Sequence, residues 1–176
     1  MASLSEPELY ALFSPIKLLV LDVDGVLTDG GLYYTESGEE LKKFNVKDGM
    51  GIKLLQKAGI EVAIISASNS TATLHRARKL GITHAFIGVE NKLEALETLC
   101  NKLGLQFSQV AHIGDDVNDL PIFQAIGVPL TVADAMPINQ AKARYVTQKA
   151  GGQGAVREVC DLILAANQQS EDYHNA

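Results

Sequence analysis

Residues 16–28 read Ile-Lys-Leu-Leu-Val-Leu-Asp-Val-Asp-Gly-Val-Leu-Thr, and the two halves of this stretch carry different information. Residues 16–21 form a nearly continuous apolar run, as expected of a strand buried on both faces. Asp22 and Asp24 follow at once, so two carboxylates stand where that strand ends. Outward from this stretch, short apolar runs recur at 61–65, 84–87, 110–113 and 129–132. Segments of helical period fill the gaps at 50–58, 71–80, 92–103 and 118–126. Gly59, Gly81, Gly104 and Gly127 close these helices, where left-handed caps are expected. The alternation predicts an α/β fold: a Rossmann-like parallel sheet with helices on both faces. One insertion breaks the rhythm. Residues 32–35, a turn at 36–39 around Gly38, and residues 40–44 read as a β-hairpin flap spanning about 31–45.

The chain is expected to be one domain, 1–176, since no linker divides it, with a polar tail at 168–176 expected to be disordered. Its 176 residues are 47% hydrophobic and 20% charged, a globular balance. A net charge of −6 and a pI near 5.2 argue against a nucleic-acid or anionic-membrane partner. No apolar run reaches the roughly 20 residues that a bilayer span requires. The first 14 residues lack the basic start of a secretory signal. Cys100 and Cys160 have no metal spacing and are expected to be buried thiols in a reducing cytoplasm.

In open α/β sheets ligands bind at the carboxyl ends of the strands. Four such ends carry reactive side chains here: Asp22 and Asp24; Ser66; Lys92, at the helix after the third strand; and Gly114-Asp115-Asp116-Val117-Asn118-Asp119. Carboxylates converging on one edge repel one another unless a cation neutralises them. A few hard oxygen donors with room for water and phosphate suit Mg2+ better than zinc. The chemistry that fits is attack of a carboxylate on phosphorus, giving an aspartyl phosphate that water hydrolyses. A second carboxyl group then serves as acid and base. Ser66 can donate to phosphoryl oxygens and Lys92 can offer them a fixed charge. Taken singly, each residue has a plainer reading: an Asp after a strand is most often a turn or cap, Ser66 a cap, and Lys92 a solvated helix residue. Their order at successive strand ends favours the functional one. An EF-hand fails because Leu27 occupies its glycine position, and no phosphate-binding P-loop or G-x-S-x-G elbow is present. Gly49-Met50-Gly51 lacks the third glycine of a dinucleotide site, and His75, His84, His112 and His174 show no ligand spacing.

The ordered set Asp22-x-Asp24-Gly25, Ser66, Lys92 and Gly114-Asp115-Asp116 resembles the phosphatase branch of the haloacid dehalogenase-like superfamily. The segments 22–30, 44–49, 132–135 and 151–158 look like those of the 3-deoxy-D-manno-octulosonate 8-phosphate phosphatases. That resemblance implies a cytoplasmic, tetrameric enzyme without a separate cap domain, which removes phosphate from a phosphorylated sugar acid during lipopolysaccharide biosynthesis. It implies Asp22 as nucleophile, Asp24 as general acid and base, and magnesium held by Asp22, the Asp24 backbone carbonyl and Asp115. It places Asp24, Asn45, Val46, Lys47, Asp48, Gly49, Lys53, Ser68, Arg76 and Lys92 at the substrate, and it implies closure of the site by the hairpin and a neighbour's C-terminal glycine motif. Two positions depart from the family. Ala67-Ser68 stands where Gly-Arg is usual, and Gln153 where a basic residue is usual. Arg76, Arg78, Lys47 and Arg157 are the cations that could replace the missing ones. A phosphatase for a nine-carbon ulosonic acid is the nearest rival, then a phosphomutase, which normally needs a cap. A receiver-like phosphoacceptor module is the rival from another class, but its acidic pair sits on the first strand and here it comes late.

Overall fold

The structure, a computed structural model, describes residues 4–174, the side chains of 169–174 excepted. In chain order its elements are α1 (Glu6–Phe13), β1 (Leu18–Leu21), the hairpin strands β2 (Tyr33–Tyr34) and β3 (Glu40–Leu41), α2 (Val46–Lys57), β4 (Glu61–Ile65), α3 (Thr71–Leu80), β5 (His84–Phe86) and α4 (Lys92–Leu103). There follow β6 (Val110–Ile113), α5 (Leu120–Ala125), β7 (Val128–Thr131), α6 (Pro137–Lys142), β8 (Tyr145–Val146) and α7 (Ala155–His174). Six strands form a parallel sheet in the order β5-β4-β1-β6-β7-β8. The hairpin is a separate two-stranded antiparallel ribbon pairing Tyr33 with Leu41 and Tyr34 with Glu40.

The continuous apolar character of β1 has a direct cause. Leu19 and Leu21 enter one core with side chains of α1, α2, α3 and α7, while Leu18 and Val20 enter a second with α4 and α5. Both faces of the strand are therefore covered, as a parallel sheet requires. Chain direction across the sheet reverses beside β1, which lies between β4 and β6. Leu21 is level with Ile64 and Ile113, so residues just beyond β1, β4 and β6 share one edge at this switch point.

Residues 22–60 hold only the hairpin and α2 between β1 and β4, and residues 66–91 only α3 and β5, so no cap domain is inserted. Several expectations are corrected. Helix α2 begins at Val46 instead of residue 50, because the Asn45 side chain caps it by accepting the Lys47 N–H at 2.8 Å. Its early glycines disguise the helix but permit contact: a Cβ on Gly51 would lie 2.9 Å from Arg157 Cδ on α7. Gly59, Gly81 and Gly104 do take positive φ, but Gly127 does not. Glycine is needed there because a Cβ would come within 2.8 Å of the Ser108 carbonyl oxygen. The helix expected at 118–126 divides into a short 3-10 turn, Val117–Asp119, and α5, with Pro121 in the first turn of α5. Helix α7 continues to His174, past residue 168 where a disordered tail is expected; residues 175–176 lie outside the described ones.

Candidate active site

A cavity of about 240 Å³ opens at the switch point, lined by Asp22, Asp24, Ser66, Ser68, Asp115, Asp116 and Asn118 with Gly25, Gly30 and Ala67. Asp22 ends β1 and is 5% exposed. Its Oδ1 accepts the Val23 N–H at 2.7 Å, and its Oδ2 accepts from Lys92 Nζ at 2.7 Å. Lys92 opens α4 with a buried side chain and donates equally closely to Asp119 Oδ1. Asp119 is fully buried. Its Oδ2 accepts the backbone N–H groups of Asp115 and Asp116 at 3.1 and 3.5 Å, and its Oδ1 lies 3.0 Å from His112 Nε2. Buried polar groups persist when every one is partnered, and this ladder meets that condition.

Gly25 decides how closely the two acidic segments meet. It holds φ at +78°, and a Cβ there would collide with the Asp115 carboxylate. Opposite, Ser66 Oγ accepts the Ser68 N–H at 3.3 Å, while its backbone N–H donates to Phe86 across to β5. Asp24 is more open, and its Oδ1 accepts from Lys42 Nζ at 2.6 Å.

Charge in the cleft is out of balance. Burial, reinforced by Asp119, raises Asp22 to about 6 despite Lys92. Burial and the charges of Asp22, Asp119 and Asp116 raise Asp115 to about 7. Burial also opposes the charge on Asp119, but its contacts with His112 and Lys92 outweigh this and hold it below the ordinary carboxylate range. For Lys92 the penalty of burial is outweighed by Asp22 and Asp119, so the ammonium is held above its ordinary range. Oxygen atoms of Asp22, Asp115 and Asp119 lie within 4.8 Å of one another, the geometry of a cation site. Asp119 is fully buried behind Lys92 and His112, whereas Asp22 and Asp115 line the cavity and are the carboxylates that can face a cation there.

The resemblance of this chain can now be measured. It is 50% identical over 151 residues to 3-deoxy-D-manno-octulosonate 8-phosphate phosphatase KdsC of Escherichia coli (strain K12), covering 86% of this chain and 80% of that one. It belongs to the 3-deoxy-D-manno-octulosonate 8-phosphate phosphatase family. Residues 46–127 also match the haloacid dehalogenase-like hydrolase family. The crystal structure of the Yersinia pestis phosphatase superposes with a TM-score of 0.89 at 48% identity, covering 93% of this chain and 88% of that one. The Moraxella catarrhalis phosphatase, in complex with a magnesium ion, a phosphate ion and a KDO molecule, gives 0.90 at 41% identity, covering 97% and 98%.

Within this phosphatase the site residues expected from sequence divide into two groups. Asp22, Asp24, Ser66, Ser68 and Asp115 line the cavity; Lys92 lies beneath it, against Asp22. The α2–α3 group does not line it. Asn45 caps α2 and donates to the Gly152 carbonyl at 3.1 Å, and Val46, Lys47 and Lys53 are exposed. Gly49 is buried where a Cβ would meet the Arg76 guanidinium, and Arg76 donates to the Asn45 carbonyl while stacking on Phe44. Asp48 is 1% exposed, its carboxyl raised by burial, and it accepts the Arg157 N–H in the first turn of α7. The glycine motif at 151–154 packs on its own chain, where Gly152 N–H donates to the Val26 carbonyl and a Cβ on Gly151 would strike the Gly25 carbonyl.

Three partners escape the sequence-based assignment. Asp119 stands four residues beyond Asp115, and His112 is the one polar side chain in β6; both signals are readable. Lys42 has none, because its contact depends on how the hairpin folds back.

Proposed function

We propose that the protein hydrolyses 3-deoxy-D-manno-octulosonate 8-phosphate to the free sugar acid and phosphate, a step in lipopolysaccharide biosynthesis. The observation that carries this is Asp22, a buried carboxylate at the end of β1 fixed between Lys92 and the Val23 N–H, with Asp24 beside it on the same cavity. Fifty per cent identity to named phosphatases supports the substrate.

Magnesium suits the oxygen donors present, and we assign it to Asp22, the Asp24 backbone carbonyl and Asp115. When bound, it supplies positive charge that offsets the repulsion between carboxylates and phosphate. The residues do the rest. Asp22 attacks phosphorus and the bond to the sugar oxygen breaks, leaving an aspartyl phosphate. Asp24 gives its proton to the departing alkoxide. It then takes a proton from the water that attacks the same phosphorus, freeing phosphate and restoring Asp22. Ser66 and Ser68 offer hydroxyl groups at the cavity wall for the phosphoryl oxygens. Lys92 acts through Asp22, holding the nucleophile ionised and aimed.

The cavity lining offers carboxylates and hydroxyls for the phosphoryl chemistry but no basic side chain for the acid group of the sugar. We therefore propose that Val46, Lys47, Lys53 and Arg76 meet substrate across a subunit contact in a homotetramer. The exposed apolar side chains of Leu32, Tyr34, Leu41, Val46 and Met50 support such a contact. Buried free Cys100 and Cys160 fit a cytoplasmic setting. The deciding assay is phosphate release from eight- and nine-carbon sugar-acid phosphates, with magnesium and with chelator. Magnesium-dependent preference for the eight-carbon substrate is expected. Preference for a nine-carbon one would instead assign Ser68 and Gln153 to a different acid.

A further inference from the structure

The hairpin carries its own contact with the proton-transfer carboxylate. Strands β2 and β3 share only two residue pairs, too few for a hairpin to hold its place in water unaided. Two neighbouring lysines just past β3 tie it to the loop after β1. Lys43 Nζ reaches Asp29 Oδ2 at 2.5 Å with a 57% exposed side chain, a surface pair of small worth. Lys42 differs. Only 2% of its side chain is exposed, and its Nζ lies 2.6 Å from Asp24 Oδ1 and 2.8 Å from Glu40 Oε1.

We propose that Lys42 is a positioning residue for Asp24: it fixes that carboxyl group in the cavity and makes proton transfer depend on the hairpin being in place. This rests on the phosphatase reading above. The physical reason is rotational. The Asp24 side chain is 36% exposed against 8% for Asp22, and Lys42 is the one cation paired with it among the described residues. Holding Oδ1 leaves Oδ2 to exchange a proton with the leaving oxygen or the attacking water. Glu40, from the hairpin strand itself, holds the ammonium from its other side. Displacement of the hairpin thus removes the contact that aims Asp24, while Asp22, held by Lys92, stays where it is.

The effect must then depend on the leaving group. A sugar alkoxide needs a proton to depart, and p-nitrophenolate does not. The test compares magnesium-saturated wild type, Lys42→Met, Lys42→Arg and Lys43→Met on a sugar-acid phosphate at steady state and on the p-nitrophenolate burst. Lys42→Met should lose about 30-fold in kcat on the alkyl ester with KM within about threefold, part of the range general acid–base catalysis spans. Its burst rate should change much less, Lys42→Arg should recover most of the loss, and Lys43→Met should behave as wild type. Equal losses on both substrates, a Lys43→Met defect matching that of Lys42→Met, or unchanged turnover in Lys42→Met would each overturn the proposal. Absence of wild-type turnover on both substrates would instead remove the phosphatase reading itself.

Discussion

The floor of the cleft and the flap beside it use the same device, a buried lysine between two carboxylates, in opposite surroundings. On the floor, Lys92 comes from the first residue of a twelve-residue helix and joins side chains that are 8% and 0% exposed. On the flap, Lys42 comes from a two-pair hairpin and joins side chains that are 36% and 23% exposed. Pairs in low dielectric are strong, costly to break and slow to rearrange, whereas pairs at the surface exchange readily with water. The nucleophile is thus held by a long helix, and the proton carrier by a short hairpin. That division suits the chemistry: Asp22 keeps one geometry, while Asp24 must change protonation state twice in each turnover.

The comparison can be broken at either end. Asp22→Asn should lower kcat by more than about a thousandfold, or roughly 4 kcal/mol of barrier. Near-normal kcat in that variant would end the covalent mechanism. Asp24→Asn should lose about 10²–10⁴-fold in both half-reactions by rapid quench. Calorimetric magnesium affinity should stay close to wild type, because a carbonyl is the assigned ligand. Lys92→Met leaves Asp22 and Asp119 facing each other in the interior without the ammonium between them, and should cost about 3 kcal/mol of stability by denaturant titration.

Metal and pH sharpen the picture without mutation. The folded-state values of Asp22 and Asp115, about 6 and 7, lie above the ordinary 3.8. The folded state therefore holds extra protons, a contribution complete below the unfolded value and lost as pH rises through the folded ones. Asp119 has the opposite sign, and its contribution fades only in stronger acid. With chelator present, Tm should fall between pH 5 and pH 8, and the increase on adding magnesium should be largest at pH 8. An increase independent of pH would mean that these carboxylates are not the ligands. Arg76→Ala should have the smallest effect, leaving p-nitrophenyl phosphate turnover within about twofold at a modest loss of Tm, since Arg76 braces Asn45 outside the cavity.

What was legible from sequence follows a physical line. Asp22, Ser66 and Asp115 could be grouped in advance because parallel strands in register place their next residues on one edge. The start of α2 was obscured because Gly49 and Gly51 weaken the helical pattern while serving close packing. Gly127 misled in the reverse direction, since close approach to a backbone and a left-handed cap demand the same residue. Asp48 illustrates a further limit: a motif places it beside the substrate residues, but burial against the first turn of α7 appears only once the helices are packed. Lys42 lies beyond all these signals, because a flap contact is set by tertiary folding alone.

The central claim is that Asp22 itself becomes phosphorylated. Acid quenching during turnover, followed by borohydride reduction, converts an acyl phosphate to an alcohol, and mass spectrometry then locates it. Homoserine at position 22, formed only with substrate and magnesium and lost in Asp22→Asn, is the expected result. Reduction at Asp24 or Asp115, or an unmodified chain under rapid turnover while Asp24→Asn also fails to accumulate the adduct, would contradict the account.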